Sequence, residues 1–104
     1  MPAKSIAIEL GGKQRHLRYD FNSLVALEDE LGVTVDKIES FVSGSVKLRD
    51  LRTLIWAGLV HEDDGITPKD VGAWIDFQNI EKISEKVGRA LEAAFPPTDD
   101  VKKN

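Results

Sequence analysis

Between Lys47 and Glu62 the apolar residues Leu48, Leu51, Leu54, Ile55, Trp56, Leu59 and Val60 cover roughly 240° of a helical wheel at about 100° per residue. A helix that is apolar over so much of its circumference cannot keep one broad face in water. It has to be covered from several sides, and the remaining segments can be read for the cover each supplies.

The clearest cover is the stretch from Ile80 to Phe95. Ile80, Ile83, Val87, Ala90, Leu91, Ala94 and Phe95 form an apolar stripe of roughly 140°. Glu81, Lys82, Glu85, Lys86, Arg89 and Glu92 occupy the opposite side, and Pro96-Pro97 stops the helix. Just before it, Thr67-Pro68-Lys69-Asp70 reads as a helix start: a threonine cap, proline at the first position and an acid three residues past the cap. The short helix it opens carries Val71, Trp74 and Ile75. Further upstream, Leu24, Leu27 and Leu31 predict a helix over about Asn22–Leu31, with Asp20 or Asn22 as cap and Gly32 as left-handed terminator. A second short helix is expected from Thr34 to Val42, carrying Val35, Ile38, Phe41 and Val42, and Ser43-Gly44-Ser45 ends it.

The first twenty residues carry a different period. Ile6, Ile8 and Leu10 alternate with small or polar residues, Gly11-Gly12 interrupts, and Leu17 and Tyr19 resume the alternation. The apolar positions are even before the break and odd after it, so they share a face only across a loop with an even number of residues. A two-residue loop, Gly11-Gly12, pairs Ile6 with Leu17; a four-residue loop, Gly11 to Gln14, pairs Ile8 with Leu17 and Ile6 with Tyr19. Both satisfy the pattern. The expected fold is mainly α: an N-terminal β-hairpin followed by about five helices in one compact domain over residues 1–97, with 98–104 as a polar tail.

Composition narrows the chemistry. With no cysteine there is no disulfide, thiolate nucleophile or thiolate metal site. No apolar run reaches signal-peptide or membrane-span length, so a cytoplasmic location is expected, with no membrane partner. The net charge of −4 lacks the basic footprint that phosphate binding demands, so nucleic acid is not an expected partner. His16 falls on the polar side of the second strand. His61 adjoins Glu62, Asp63 and Asp64, but consecutive residues at a helix end diverge, and with Gly65 at the sixth position of a calcium loop, Val60 and Val71 would stand where ligands are needed. No metal and no cofactor are expected. The serines sit in caps, turns or exposed helix positions without the strained turn of a nucleophile, and Gly11-Gly12 precedes no helix that would cradle phosphate, so no catalytic residues are assigned.

What remains is protein binding, and five residues are candidates. Arg52 projects into the apolar sector of its helix, either packing its stem on Trp56 one turn away or serving as a partner-binding arginine. Trp74 and Phe77 are two large aromatics on a short helix with little local core; they either bury against the hairpin or the last helix, or form a docking patch. Phe95, at the proline-terminated end of the last helix, is the fifth.

The order of these segments carries a resemblance. Ile8-Glu9-Leu10-Gly11-Gly12-Lys13 and Leu17-Arg18-Tyr19-Asp20-Phe21-Asn22-Ser23-Leu24 lead into Ala26-Leu27-Glu28-Asp29-Glu30-Leu31-Gly32. Leu48-Arg49-Asp50-Leu51-Arg52, Leu54-Ile55-Trp56-Ala57-Gly58-Leu59 and Thr67-Pro68-Lys69-Asp70-Val71-Gly72 follow. Over about residues 6–95 this resembles the tail assembly chaperones of long-tailed phages and the related small proteins of gene transfer agents. The resemblance implies a non-catalytic helper that binds the tape-measure protein or other phage tail proteins, assists tube assembly and is absent from the mature virion. It supplies no catalytic residues. A structural connector subunit retained in the tail is the alternative. A DNA-binding regulator ranks last, because the segment after Thr67 offers Asp70, Trp74 and Asp76 with Lys69 alone positive. The hairpin's outer edges have no assigned cover, which leaves edge-to-edge pairing into a homo-oligomer open.

Overall fold

A computed structural model describes residues 5–34, 37–38 and 47–94. The chain starts with an antiparallel hairpin, β1 (Ile6–Leu10) and β2 (Lys13–Leu17), in which Ile6 pairs with Leu17 and Leu10 with Lys13. The loop is therefore the two-residue one. Gly11 and Gly12 both hold positive φ, 64° and 78°, as a tight turn matching the strand twist requires. Ile8, Leu10 and Leu17 are buried on one face, and Tyr19 continues that face beyond β2.

Helix α1 (Phe21–Leu31) begins at Asp20, whose side chain accepts the backbone N–H of Ser23 at 2.9 Å. That bond holds the Asp20 carboxyl below the usual carboxylate range. The helix ends at Gly32 with φ 71°. Thr34 O then accepts from the N–H groups of Lys37 and Ile38, and Ile38 is buried; the rest of the helix expected over Thr34–Val42 lies outside the described residues.

Helix α2 (Leu48–Leu59) is the centre of the molecule, as its wheel demands. It touches β2, α1, α3 (Pro68–Trp74) and α4 (Ile80–Ala94), and buries Leu51, Thr53, Leu54, Ile55, Ala57, Gly58 and Leu59. Its approach to the hairpin is set by Gly58: a Cβ there would lie 2.9 Å from Leu17 Cδ2 and 2.9 Å from Tyr19 Cζ. The Gly58 carbonyl accepts Arg18 N–H at 2.9 Å, and the buried Tyr19 hydroxyl donates to Leu54 O. Burial pushes the Tyr19 hydroxyl far up, so it stays protonated and keeps donating. Helix α3 opens with the full capping box, Thr67 and Asp70 exchanging side-chain bonds with each other's backbone N–H. Helix α4 lays Ile83, Val87, Ala90 and Leu91 against the hairpin and α2.

The chain is thus mainly helical with a two-stranded N-terminal hairpin, and the described residues contain four helices where about five were expected. Residues 98–104 fall outside the described residues. Two apolar residues depart from the sequence expectation. Leu48, counted in the central stripe, is 61% exposed, and Phe21, just ahead of the α1 stripe, is 79% exposed.

Candidate docking surface

The five candidate residues separate into different places. Trp74 is half-buried against the hairpin turn: its indole lies so close to Gly11 that a Cβ there would meet Trp74 Cε2 at 2.7 Å. Its ring also takes the Arg15 guanidinium at 4.2 Å from the centroid. Trp56 is half-buried too, and its indole N–H donates to Ile66 O at 2.9 Å, tying α2 to the connector before α3. The expected Arg52–Trp56 stacking is not formed; among the described residues the cation–π pair is Arg15 with Trp74. Arg52 instead lays its stem along α3, where Gly72 makes room: a Cβ on Gly72 would stand 3.0 Å from Arg52 Cδ. Phe95 lies outside the described residues.

Arg52 and Phe77 do come together. They line a groove of about 440 Å³ at the junction of α2, α3 and the start of α4, with Leu48, Arg49, Leu51, Gly72, Ile75, Asp76 and Ile80. That volume is in the ~300–1,000 Å³ range typical of binding clefts. Phe77 stands 86% exposed at its rim, and Leu48, 61% exposed, lines the same groove. The turn that displays Phe77 is built by reciprocal bonds. Asp76 Oδ1 accepts the N–H groups of Gln78 (2.8 Å) and Asn79 (2.9 Å), while Asn79 Oδ1 accepts Asp76 N–H at 2.8 Å. Asn79 Nδ2 also donates to Trp74 O at 3.1 Å, and Ile80 N–H to Asp76 O at 3.0 Å. This is the capping-box logic with an aspartate and an asparagine, and it fixes Phe77 in the first turn leading into α4, pointing outward.

Electrostatically the groove differs from the rest of a chain of net charge −4. Arg49 and Arg52 stand in its wall, and neither side chain makes an ion pair or hydrogen bond among the described residues; Arg52 Nε is buried without an acceptor. The acid present, Asp76, spends one carboxylate oxygen on its own turn.

Two features escaped the sequence reading. Arg15 pairs across from Ile8 on the buried face, where its Nε donates to Leu10 O at 2.9 Å and its charge rests on Trp74. Parity alone would have placed it there, since it shares odd numbering with Leu17 and Tyr19. The second is the cover on the strand edges. Ala7 and His16 form a non-hydrogen-bonded pair whose backbone groups face outward. His16 N–H donates to Glu62 Oε1 (3.0 Å), His16 Nδ1 meets Glu62 Oε2 (2.7 Å), and His16 O is engaged by His61 Nε2 (2.7 Å). On the other edge Lys86 Nζ donates to Ala7 O at 3.0 Å. Both edges at the Ala7–His16 pair are therefore occupied, which removes the room there for edge-to-edge strand pairing. Burial pushes the Glu62 carboxyl up, but the bonds from His16 and the neighbouring His61 outweigh it and hold it below the usual range.

Among the described residues no cluster of three or more histidines and acids is placed to hold a metal ion, and no helix is long and apolar enough to cross a membrane. The arrangement offers apolar contact, two cations unengaged among the described residues and backbone-anchored display. Those are the means of protein recognition. Compared with known proteins, the chain matches a family model described as phage tail tube protein, GTA-gp10, over residues 3–95. No curated protein and no solved structure matches it. Because the match takes in the hairpin and every described helix, the chain belongs to the phage tail tube protein, GTA-gp10 family, and is a phage or gene-transfer-agent tail protein.

Proposed function

We propose that this tail protein is a non-catalytic assembly chaperone that binds the tape-measure protein in the host cytoplasm and leaves before the particle matures. The observation that carries the reading is the open groove with Phe77 and Leu48 on its rim, 86% and 61% exposed. Large apolar side chains held out in water are a standing cost unless a partner covers them. An amphipathic helix laid into such a groove through residues one turn apart is a recurrent mode of recognition, and a tape-measure protein is long and helical. The titratable cluster His16–Glu62–His61 supports a non-catalytic role, since both Glu62 oxygens, His16 Nδ1 and His61 Nε2 are engaged at a strand edge.

The test is co-expression with a phage or gene-transfer-agent tape-measure protein, followed by capture and measurement of the soluble fraction. The wild-type chain is expected to bring the large partner into solution, and Phe77→Asp to lose it while keeping its own unfolding midpoint. Phe77 is the informative position because Trp74 is engaged by the hairpin, so its removal would mix folding with binding. A partner that neither binds nor gains solubility refutes the chaperone reading. The family description favours a second reading, a structural subunit that remains in the tail. Stoichiometric recovery from purified particles would establish that reading; absence from them supports the chaperone.

A further inference from the structure

Four large apolar side chains are exposed among the described residues: Leu48 and Phe77 at the groove, and Phe21 and Val25 on α1. The second pair is as well organised as the first. Phe21 and Val25 are one helical turn apart on the outer face of α1, and Asp29 continues the same row one turn further, exposed. The row therefore reads apolar, apolar, acid. The groove offers its complement: an apolar floor of Leu51, Ile75 and Ile80 beneath that rim, with Arg49 and Arg52 in the wall and unengaged among the described residues.

We propose that the groove of one molecule receives the outer face of α1 from a second copy of this chain, Phe21 and Val25 entering between Leu48 and Phe77 while Asp29 meets Arg49 and Arg52. The occupant is chosen by charge complementarity. A chain of net charge −4 repels its own kind in general, and this contact sets the exposed Asp29 against Arg49 and Arg52, which have no charge partner among the described residues. One contact of this kind covers all four exposed side chains. The two surfaces are different patches, so the contact is heterologous: each molecule keeps a free groove and a free α1, and association continues head to tail into a ring or an open chain. Strand pairing through the Ala7–His16 pair is not the route, because Lys86, His61 and Glu62 occupy both edges there. The inference goes beyond the chaperone reading and links to it, since a tail partner in the groove and α1 of a second copy exclude each other.

The experiment uses the full chain alone, by sedimentation velocity and light scattering over a concentration series at low and physiological salt. The wild type is expected to associate with rising concentration, more weakly as salt rises. Phe21→Ser and Asp29→Arg on one surface, and Phe77→Asp and Arg52→Asp on the other, are each expected to weaken association about tenfold or more. Two further measurements guard against a folding artefact. Combining Asp29→Arg with Arg52→Asp in one chain restores association by swapping the pair. Mixing Phe21→Ser with Phe77→Asp gives dimers that grow no further, since one good groove and one good α1 remain per mixed pair. A wild type that stays monomeric throughout overturns the proposal, as does a closed dimer indifferent to the α1 substitutions or a mixture that fails to pair. The tape-measure capture of the preceding section is read separately: Phe21→Ser leaves that capture intact, whereas Phe77→Asp abolishes it.

Discussion

Replacing Gly58 by alanine sets two known effects of opposite sign against each other at one atom. Gly58 lies inside α2, where alanine gains about 0.8–1 kcal/mol in helix propensity. The new Cβ would stand 2.9 Å from Leu17 Cδ2, 2.9 Å from Tyr19 Cζ and 3.1 Å from the Tyr19 hydroxyl oxygen. Neither neighbour has anywhere to go: Leu17 and Tyr19 are 0% and 1% exposed, and Tyr19 is tethered to Leu54 O. Relieving the clash means moving β2 away from α2, which stretches the Arg18 N–H to Gly58 O bond and loosens the tyrosine's hydroxyl bond. Overpacking of this kind costs about 1–3 kcal/mol and a weakened buried hydrogen bond about 1 kcal/mol. Against the propensity gain, a net loss of about 1–3 kcal/mol is expected, or roughly 4–8 °C of melting temperature per kcal/mol in a domain of this size. Gly88→Ala is the control. It is also inside a helix, α4, but nothing lies within 4 Å of its Cβ, so it should stabilise by about 0.5–1 kcal/mol. Urea unfolding followed by circular dichroism, with both variants beside the wild type, reads the two signs directly. A Gly58→Ala protein as stable as Gly88→Ala would mean that the hairpin does not press on α2 through this glycine.

Three other outcomes follow from the same contacts. Gly11→Ala should cost more than Gly12→Ala, because both bear the left-handed penalty of about 1–2 kcal/mol but Gly11 alone has Trp74 2.7 Å from the new Cβ; unfolding midpoints and Trp fluorescence check the order. Tyr19→Phe should lose about 1 kcal/mol by leaving Leu54 O without its second donor, and a tyrosine absorbance titration of the wild type should show Tyr19 resisting ionisation until the fold gives way. Glu62→Gln tests the edge cover. A carboxyl held below its unfolded range contributes stability that is present above the unfolded pKa and lost as pH falls through the lower folded one, so the wild type should exceed the variant at neutral pH and approach it in acid. The difference stays below about 1 kcal/mol because the pair is part-exposed; a pH series of unfolding midpoints that runs parallel for the two proteins would refute the assignment.

The fold was legible where a single local rule decides. The wheel of residues 47–62 placed α2 at the centre, the Thr67-Pro68-Lys69-Asp70 cap placed α3, and parity reduced the hairpin to two registers, of which the structure has the one with Gly11-Gly12. Legibility failed where a side chain's partner is remote in the chain. His16 reads as a solvated strand residue until Glu62 and His61, over forty positions away, arrive at its backbone. Arg15 lies on the Leu17 face in either register, so parity points it inward; its charge argues for solvent until Leu10 O and the Trp74 ring receive it. Arg52 and Trp56 satisfy the spacing of a stacked pair, yet each has a better neighbour off the helix: Gly72 opens a bed for the arginine stem, and Ile66 O accepts the indole N–H. Of the candidate site, the sequence supplied Arg52 and Phe77 but assigned Leu48 to the core. A periodicity cannot reveal that the first turn of α2 overhangs a groove.

The two exposed phenylalanines share a local setting that bears on why they are there. Each directly follows an aspartate, and each aspartate accepts the backbone N–H three residues on, Asp20 from Ser23 and Asp76 from Asn79, both at 2.9 Å. The bonded turn fixes the next side chain outward, at the start of a helix, with little freedom to fold back. The cap is worth about 1 kcal/mol and would be satisfied equally with serine or glutamate after the aspartate. Leaving a phenylalanine in water instead forgoes about 1.5–3 kcal/mol that burial would give. Local structure therefore explains the orientation of Phe21 and Phe77 but not their identity, and identity is what a contacting surface selects. The consequence is measurable on the isolated chain: Phe21→Ser and Phe77→Ser should each leave folding stability within about 0.5 kcal/mol of the wild type. A large loss from either would mean that the ring supports the fold from outside the core and that its exposure says nothing about a partner.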